Sequence, residues 1–326
     1  MTKKILTAFF SGLGMLMLIL DSKTALSGGI AGVQICIMTV LPSLLPFFVL
    51  SILLTGILSG LQMKLLRPIG RFCKMPVGSE PLLLLGLLGG YPAGAQAISQ
   101  TYAAGQLSRR DAHRLLGFCN NAGPSFLFGI AAIAFPDSWM PWMLWGIHIL
   151  SAILTGFFLP GQGYTEVNLP AGQRMNISQA MEQAVRVMAK VCSWIILFRI
   201  LLAFCDRWFL WYFPVAIRVI LCGILELANG CLQLANISSV PLRFCVCSAI
   251  LSLGGISVTM QTLSVTGPLG LGQYLPGKLM QCALSVIFSL LIFYPKYIPV
   301  ATLPTILFLF LLKIKNNSRK TKEVIV

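Results

Sequence analysis

Long apolar runs separated by short basic connections set the pattern of this chain. Runs at 29–61, 139–159, 191–204 and 279–293 reach or approach the about 20 residues that a helix needs to cross a hydrocarbon core about 30 Å thick. In lipid every backbone N–H and C=O needs an internal partner, so these runs are predicted to be helices. The pattern therefore predicts an all-α polytopic membrane protein. A run at 5–20 follows Lys3 and Lys4; its length and the further spans behind it favour a retained first helix over a cleaved leader.

One apolar stretch interrupts itself. GLLGGYPAGAQ, 86–96, carries four glycines and a proline. Lys64, Arg67, Arg71 and Lys74 precede it and Arg109, Arg110 and Arg114 follow, which places both flanking connections on the cytoplasmic side. Segment 82–104 is accordingly expected to enter the membrane, turn at Gly89-Gly90 and leave on the side it came from. Irregular backbone at membrane depth is tolerated only inside protein or along a cavity. Gly86, Gly90 and Gly94 also have the spacing that lets a neighbouring helix approach closely. Sliding the chain by 165 residues sets Leu88, Gly89, Gly90, Gln96, Ser99 and Gly105 on Leu253, Gly254, Gly255, Gln261, Ser264 and Gly270 without a gap. This predicts an internal duplication with a second hairpin over 243–266. Interrupted apolar segments at matching places in two halves are the best sequence pointer to a transporter's binding site.

The expected organisation is about eight transmembrane helices plus two re-entrant helical hairpins. A first membrane repeat covers 1–160, a cytoplasmic loop and interfacial helix 161–190, a second repeat 191–313, and a basic cytoplasmic tail 314–326. Charge counting puts both hairpins on the same side, as a parallel repeat. In NISQAMEQAVRVMAK, Ile177, Met181, Ala184, Val185 and Met188 form an apolar stripe opposite Gln179, Glu182, Gln183, Arg186 and Lys190, the pattern of an interfacial helix. Ser108 and Asp111 have capping-box spacing, so a helix is expected to start there. His113, among its arginines, is expected at the membrane interface.

Composition agrees. Of 326 residues 57% are hydrophobic and 10% charged, and the formal net charge of +15 lies mostly in connections and at the ends, as loop anchoring requires. No nucleic-acid partner is implied. Ten cysteines are scattered without zinc or redox spacing, and no nucleophile elbow, P-loop or dinucleotide fingerprint is present. Neither an enzyme, a metal site nor a cofactor is expected.

Ionisable groups inside apolar runs are functional candidates by default. Arg199 lies in SWIILFRILLAF and Glu226, followed by Asn229, in VILCGILELANG; the two are candidates for a substrate site or for a buried pair with each other. Arg218 and Arg243 lie nearer run ends and are expected to snorkel. The remaining substrate-site candidates come from the interruptions: Gly89, Gly90, Tyr91, Pro92, Gly94 and Gln96 in the first, and Gly254, Gly255, Ser257 and Gln261 in the second. Asn120, Asn121 and Ser125 in FCNNAGPSFLFG join them, at a helix start whose free N–H groups suit an anionic oxygen.

LPSLLPFFVLSILL, GGYPAGAQ, LSRRDAHRLLGFCNNAGPSFLFG, LELANG and LSLGGISVTMQ, in that order over 41–284, resemble the YlbJ family of sporulation integral membrane proteins (stage V sporulation protein V), within the nucleoside-recognition or Gate membrane group. The resemblance implies movement of dipicolinic acid from mother cell to spore across the outer forespore membrane. It points to Gly90, Tyr91, Pro92, Gly94, Asn120, Pro124, Glu226, Asn229, Gly254 and Gly255, and the family often has lysine where this chain has Gln96. A permease for a small organic anion in the bilayer is the leading expectation. A nucleoside-like permease and a non-transporting sporulation membrane assembly protein are the alternatives, and the sequence names neither a coupling ion nor an oligomeric state.

Overall fold

The computed structural model describes residues 2–58, 63–161, 167 and 176–295. The expected connection at 161–175 lies largely, and the basic tail 314–326 wholly, outside the described residues. Among the described residues the regular elements are helices. They run α1 (Thr2–Leu20), α2 (Ser22–Ile35), α3 (Leu41–Leu58), α4 (Arg67–Phe72), α5 (Glu80–Leu88), α6 (Ala93–Ala103), α7 (Arg109–Leu116) and α8 (Pro124–Gly129), then α9 (Trp139–Phe158), α10 (Ile177–Trp208), α11 (Val215–Leu225), α12 (Leu227–Gln233), α13 (Val240–Leu253), α14 (Gly255–Thr266) and α15 (Tyr274–Phe293). Among the described residues five stretches are long and apolar enough to cross a membrane: Ser22–Leu54, Trp139–Phe158, Ile177–Trp208, Val240–Leu269 and Tyr274–Phe293. With the apolar side chains that α1, α2, α9 and α10 expose, this is the architecture of a polytopic helical membrane protein.

The chain doubles back at Gly89–Pro92. A methyl group added to Gly94 would lie 2.9 Å from the Gly86 Cα, whereas eight residues of continuous helix separate two such atoms by about 12 Å. α5 and α6 are therefore two antiparallel arms that touch through glycines, and both glycines also press on the Cys119 carbonyl. The same construction recurs at Glu226, where Gly230 packs on the Gly223 Cα and joins α11 to α12. The second doubling back was expected at 243–266. That stretch is instead two helices, α13 and α14, which meet end to end at Gly254 and do not lie side by side. The match at an offset of 165 had found two segments that pack on each other, since Ser99 of α6 donates to the Thr266 carbonyl at the end of α14, but they occupy different places in the repeat.

The structural repeat has three parts: a folded-back pair, an interrupted helix and a 20-residue helix. The first copy is α5–α6, α7–α8 and α9; the second is α11–α12, α13–α14 and α15. α9 and α15 each have 20 residues and a proline at the third position, Pro141 and Pro276. The copies run in opposite directions. Trp139, at the start of α9, has its ring 6.4 Å from that of Phe293 at the end of α15. At the other end Gly277 of α15 packs on Gly117, and Gly156 of α9 on Phe118. The repeat is thus inverted, not parallel as charge counting had it. That count treated 82–104 and 243–266 as equivalent and so compared the wrong segments.

Two faces follow. Arg109, Arg110, Arg186 and Lys190 lie toward the α7 start, whereas Trp139, Trp142, Trp208, Trp211 and Tyr212, all exposed, lie at the α9 start and the α10 end. Exposed aromatic rings of this kind form an interfacial belt. The amphipathic segment at 177–190 is the first part of the 32-residue α10, opened by the Asn176–Gln179 capping box. Its inward stripe is Ala180, Ala184 and Met188, while Ile177, Met181 and Val185 stay exposed. Ser108 caps α7 as expected, accepting from the Asp111 N–H at 3.0 Å. His113 lies against the Leu269 carbonyl at 2.7 Å.

Two arginines tie helix ends together. Arg114, 1% exposed, donates to the carbonyls of Leu159, Lys74, Cys73 and Gly156, joining the end of α9 to the connection after α4. Arg243 does not snorkel; it donates to Ala134 and Ile237, joining the two copies at the aromatic face.

The inverted repeat predicts sidedness. In a cysteine-free background, single cysteines replacing Arg71 and Ala104 should react with an impermeant maleimide from one side of the membrane, and those replacing Asp137 and Asn236 from the other. Labelling of all four from one side contradicts this arrangement.

Candidate functional site

The turns of the two folded-back pairs face each other. Gly89, Gly90 and Tyr91 from the first and Glu226, Leu227 and Ala228 from the second line one cavity, with Ser125 and Gly123 of the first interruption and Gln261 of α14. Its volume is about 40 Å³, room for one or two waters. The backbone explains why the turns fit. Gly90 has φ +72° and a methyl there would meet the Gly123 N at 3.0 Å; Gly255 has φ +78° and a methyl would meet the Gly223 carbonyl oxygen at 2.8 Å. Each turn thus rests on the interrupted helix of its own copy. Tyr91 crosses to the other copy, where its hydroxyl donates to the Leu251 carbonyl at 3.3 Å.

A wider, polar vestibule of about 330 Å³ lies beside this cavity. Pro92, Gln96, Gln100, Gln183, Arg186, Lys190 and Ser264 line it, and Gln261 and Val191 belong to both spaces. Arg186 is paired with Glu182, which leaves Lys190 and the amides to face an incoming solute.

Sequence reasoning missed the most unusual side chain. Lys278 of α15 is 0% exposed. Its ammonium donates to Asn121 Oδ1 at 3.1 Å and Gln281 Oε1 at 2.7 Å, and lies 5.3 Å from the centre of the Tyr91 ring and 5.9 Å from that of Tyr274. Both oxygens are neutral, and the ion pairs found among the described residues, Arg186–Glu182, Arg199–Asp206 and Arg207–Asp21, do not involve it. Amide oxygens and ring faces accept from the amine, no acid pairs with it among the described residues, and Tyr91, which lines the cavity, stands next to it. The run had been drawn from 279, which left Lys278 outside it. The signal that could have found it is a polar stripe at helical spacing, Lys278, Gln281, Ser285 and Ser289, all buried.

That stripe belongs to a closed network. His148 Nε2 accepts from the Ala122 backbone N–H at 3.2 Å. A backbone N–H only donates, so the ring proton sits on Nδ1, toward Ser252 Oγ at 3.4 Å. Ser252 Oγ lies 2.6 Å from Ser285 Oγ, which donates to Ser151, which returns to the His148 carbonyl. α9, α13 and α15 are thereby locked behind the first interruption.

The other candidates fall as follows. Asn120 accepts from the Ala95 N–H and donates to Thr262, which ties α6 to α14. Asn121 donates to the Phe118 carbonyl and presents its oxygen to Lys278. Neither caps α8; Gly123 does, with Pro124 at N1. Gly94 is buried in the contact between arms, Gln96 lines the vestibule, and Ser257 accepts from Gln261 at 3.2 Å. Gly254 lies 3.3 Å from the Tyr91 ring, measured from an added methyl. Glu226 caps α12 and its Oε2 accepts from the N–H and the side-chain amide of Asn229. Arg199 is elsewhere. It forms an ion pair with Asp206 at 3.6 Å and packs beside Gly28 and Gly32 of α2, so the expected Arg199–Glu226 pair does not form.

One curated protein provides a comparison. The sporulation integral membrane protein YlbJ of Bacillus subtilis (strain 168) is 35% identical over 133 residues, 39% of this chain and 32% of that protein. The match thus spans about a third of the relative's length. No family model matches the chain, and no solved structure does. The relative's name and the apolar helices agree on an integral membrane protein.

The paired glycines yield a test. Gly90→Leu and Gly255→Leu should each lower thermal stability in detergent, by about 1–2 kcal/mol from backbone handedness alone and more from the contacts above. Gly146→Leu, where added atoms meet open space, should leave it unchanged. Equal stability of the three variants contradicts the tight seating of the turns.

Proposed function

We propose that the chain is a permease for a small organic anion, with dipicolinic acid moved into the forespore as its substrate and the outer forespore membrane as its location. The carrying observation is Lys278, a fully buried ammonium with neutral partners beside the cavity where the two turns meet. A cation at membrane depth is costly unless something offsets it, and an anionic solute in the cavity offsets a protonated Lys278, with Tyr91 standing between the two. The route supports the same reading, since the vestibule that leads to Gln261 carries Lys190, Arg186 and several amides on the basic face. Positive residues mark the cytoplasmic side, so the vestibule opens to the cytoplasm.

The about 40 Å³ cavity is too small for an aromatic dicarboxylate. It corresponds to a closed state, and transport needs one copy of the inverted repeat to rock against the other so that the space between the turns opens alternately to each face. In this reading the folded-back pairs are re-entrant hairpins from opposite sides. The YlbJ relative supports the sporulation setting.

The reading is tested by uptake of labelled dipicolinate into liposomes containing the chain, with uridine as the neutral probe. Lys278→Gln should reduce dipicolinate uptake at least tenfold, about 1.4 kcal/mol, while remaining folded by thermal melting. In the host, deletion of the gene should give spores poor in dipicolinate although mother cells still make it. Uptake of uridine without dipicolinate, or equal dipicolinate uptake by Lys278→Gln, overturns the anion reading.

A further inference from the structure

The cavity contains a carboxyl group whose ionised form would repel an incoming anion. Glu226 lines it, is 2% exposed, and sits at the turn of the second folded-back pair. Its carboxylate accepts from the start of its own helix, from the N–H and side-chain amide of Asn229 at Oε2 and from the Ala228 N–H. No cationic side chain pairs with it among the described residues. The charged groups on the elements packed around α12 are otherwise engaged or distant: Arg199 with Asp206, Arg207 with Asp21, Arg243 with backbone carbonyls, Arg186 with Glu182, Lys190 in the vestibule. Arg218 of α11 is half-buried and makes no bond to it. The titratable groups that do face it are thiols, Cys231 of its own helix, backed by Cys247 of α13, and Cys36 of the π-helical turn, itself bonded to Cys192 of α10. Tyr91 looks across the cavity, and α14 brings no titratable side chain.

Two opposing effects act on this carboxyl group. The N–H groups at the start of α12 favour the anion, whereas burial in apolar surroundings at membrane depth favours the neutral acid. A carboxyl placed between such effects gains or loses a proton readily, and a second negative charge in the same cavity decides which. Glu226 cannot remain ionised when a carboxylate solute enters about one side chain away, because the repulsion acts in a water-poor space. Nothing else in the cavity wall can remove that repulsion: Ser125, Gln261 and the backbone of Gly90 are neutral and fixed.

We propose that Glu226 is the proton-binding group of this chain, so that the anion and a proton cross together. The step is a simple protonation. A proton from the vestibule side adds to a carboxylate oxygen as the solute enters, and the same proton leaves to water when the cavity opens to the opposite face; no bond to carbon changes and no electrons are transferred. Lys278 supplies the fixed positive charge and Glu226 the removable negative one. The inference rests on the anion-permease reading for its coupling, but the protonation itself is measurable without a substrate.

The experiment has two readouts on the full chain in lipid. Infrared difference spectra recorded across a pH titration, without solute, should show a protonated-carboxyl carbonyl band that disappears in Glu226→Gln. In liposomes held at zero membrane potential with dipicolinate as probe, the chain should accumulate the probe about tenfold per pH unit of imposed gradient for one proton per solute. Glu226→Gln should equilibrate the probe without accumulating it, and its uptake should no longer fall at alkaline pH. Glu226→Asp, which keeps the carboxyl and the cap, should retain gradient-driven accumulation and guards against a folding defect in the glutamine variant. A carboxyl band unchanged by Glu226→Gln, or gradient-driven accumulation by that variant, overturns the proposal. Failure of the wild-type chain to carry dipicolinate would overturn the anion reading, and the infrared band would still decide the protonation of Glu226.

Discussion

Backbone that leaves a helix inside apolar surroundings must find other partners for its N–H and C=O groups, and much of this architecture follows from meeting that requirement four times. The chain breaks at Gly89–Pro92, at 117–123, at Glu226 and at Gly254. Each turn is laid against an interruption, and glycine permits the contact because any side chain would hold the backbones apart. Where glycine contacts do not suffice, polar side chains take over: Asn120 serves the Ala95 N–H, His148 the Ala122 N–H, and Tyr91 the Leu251 carbonyl. A consequence is that the interruptions gather in one place. Four loose backbones scattered through a membrane would each need a separate polar lining, whereas gathered together they supply one another and leave a small shared space.

Inversion of the repeat makes that gathering possible. Two folded-back pairs from the same side would lie next to each other; from opposite sides they meet turn to turn. The network of His148, Ser252, Ser285 and Ser151 stands behind the first interruption and binds three helices whose mutual order would otherwise depend on apolar packing, which lipid competes with. Lys278 adds directional bonds to this network through Asn121 and Gln281. Arg186, Arg199 and Arg207 have an acid, and Arg114 and Arg243 a set of backbone carbonyls; Lys278 has amide oxygens and rings. It stands beside the shared space, next to the Tyr91 ring.

Much of this was legible from residue order, and the misreadings have physical causes. The doubling back of 82–104 showed in its glycines and flanking charges because helix interruption inside an apolar run is a local property. Glu226, Gly90, Ser125 and Gln261 stood out for the same reason, as polar or flexible positions in apolar context, and they line one cavity. The equivalence of 88–105 with 253–270 was misleading because glycine at a turn and glycine at an αL helix end give the same letters: Gly90 and Gly254 have φ +72° and +75° but sit in different elements. The true second turn, ELAN, contains one charged residue and no glycine, so it looked like part of a span. Arg199 was overvalued since sequence shows depth along a run but not which way the helix faces; α10 turns it toward α2 and Asp206. Lys278 was undervalued by the converse error, a run boundary drawn one residue too late.

The most direct measurement is an electron cryo-microscopy map of the chain in a lipid nanodisc with dipicolinate present. The account predicts that the α5–α6 and α11–α12 pairs enter from opposite membrane faces, that their turns lie at the same depth, and that ligand density fills the widened space between Tyr91 and Glu226 within reach of the Lys278 environment. Pairs opening to the same face, or ligand density confined to sites away from the two turns, would contradict it.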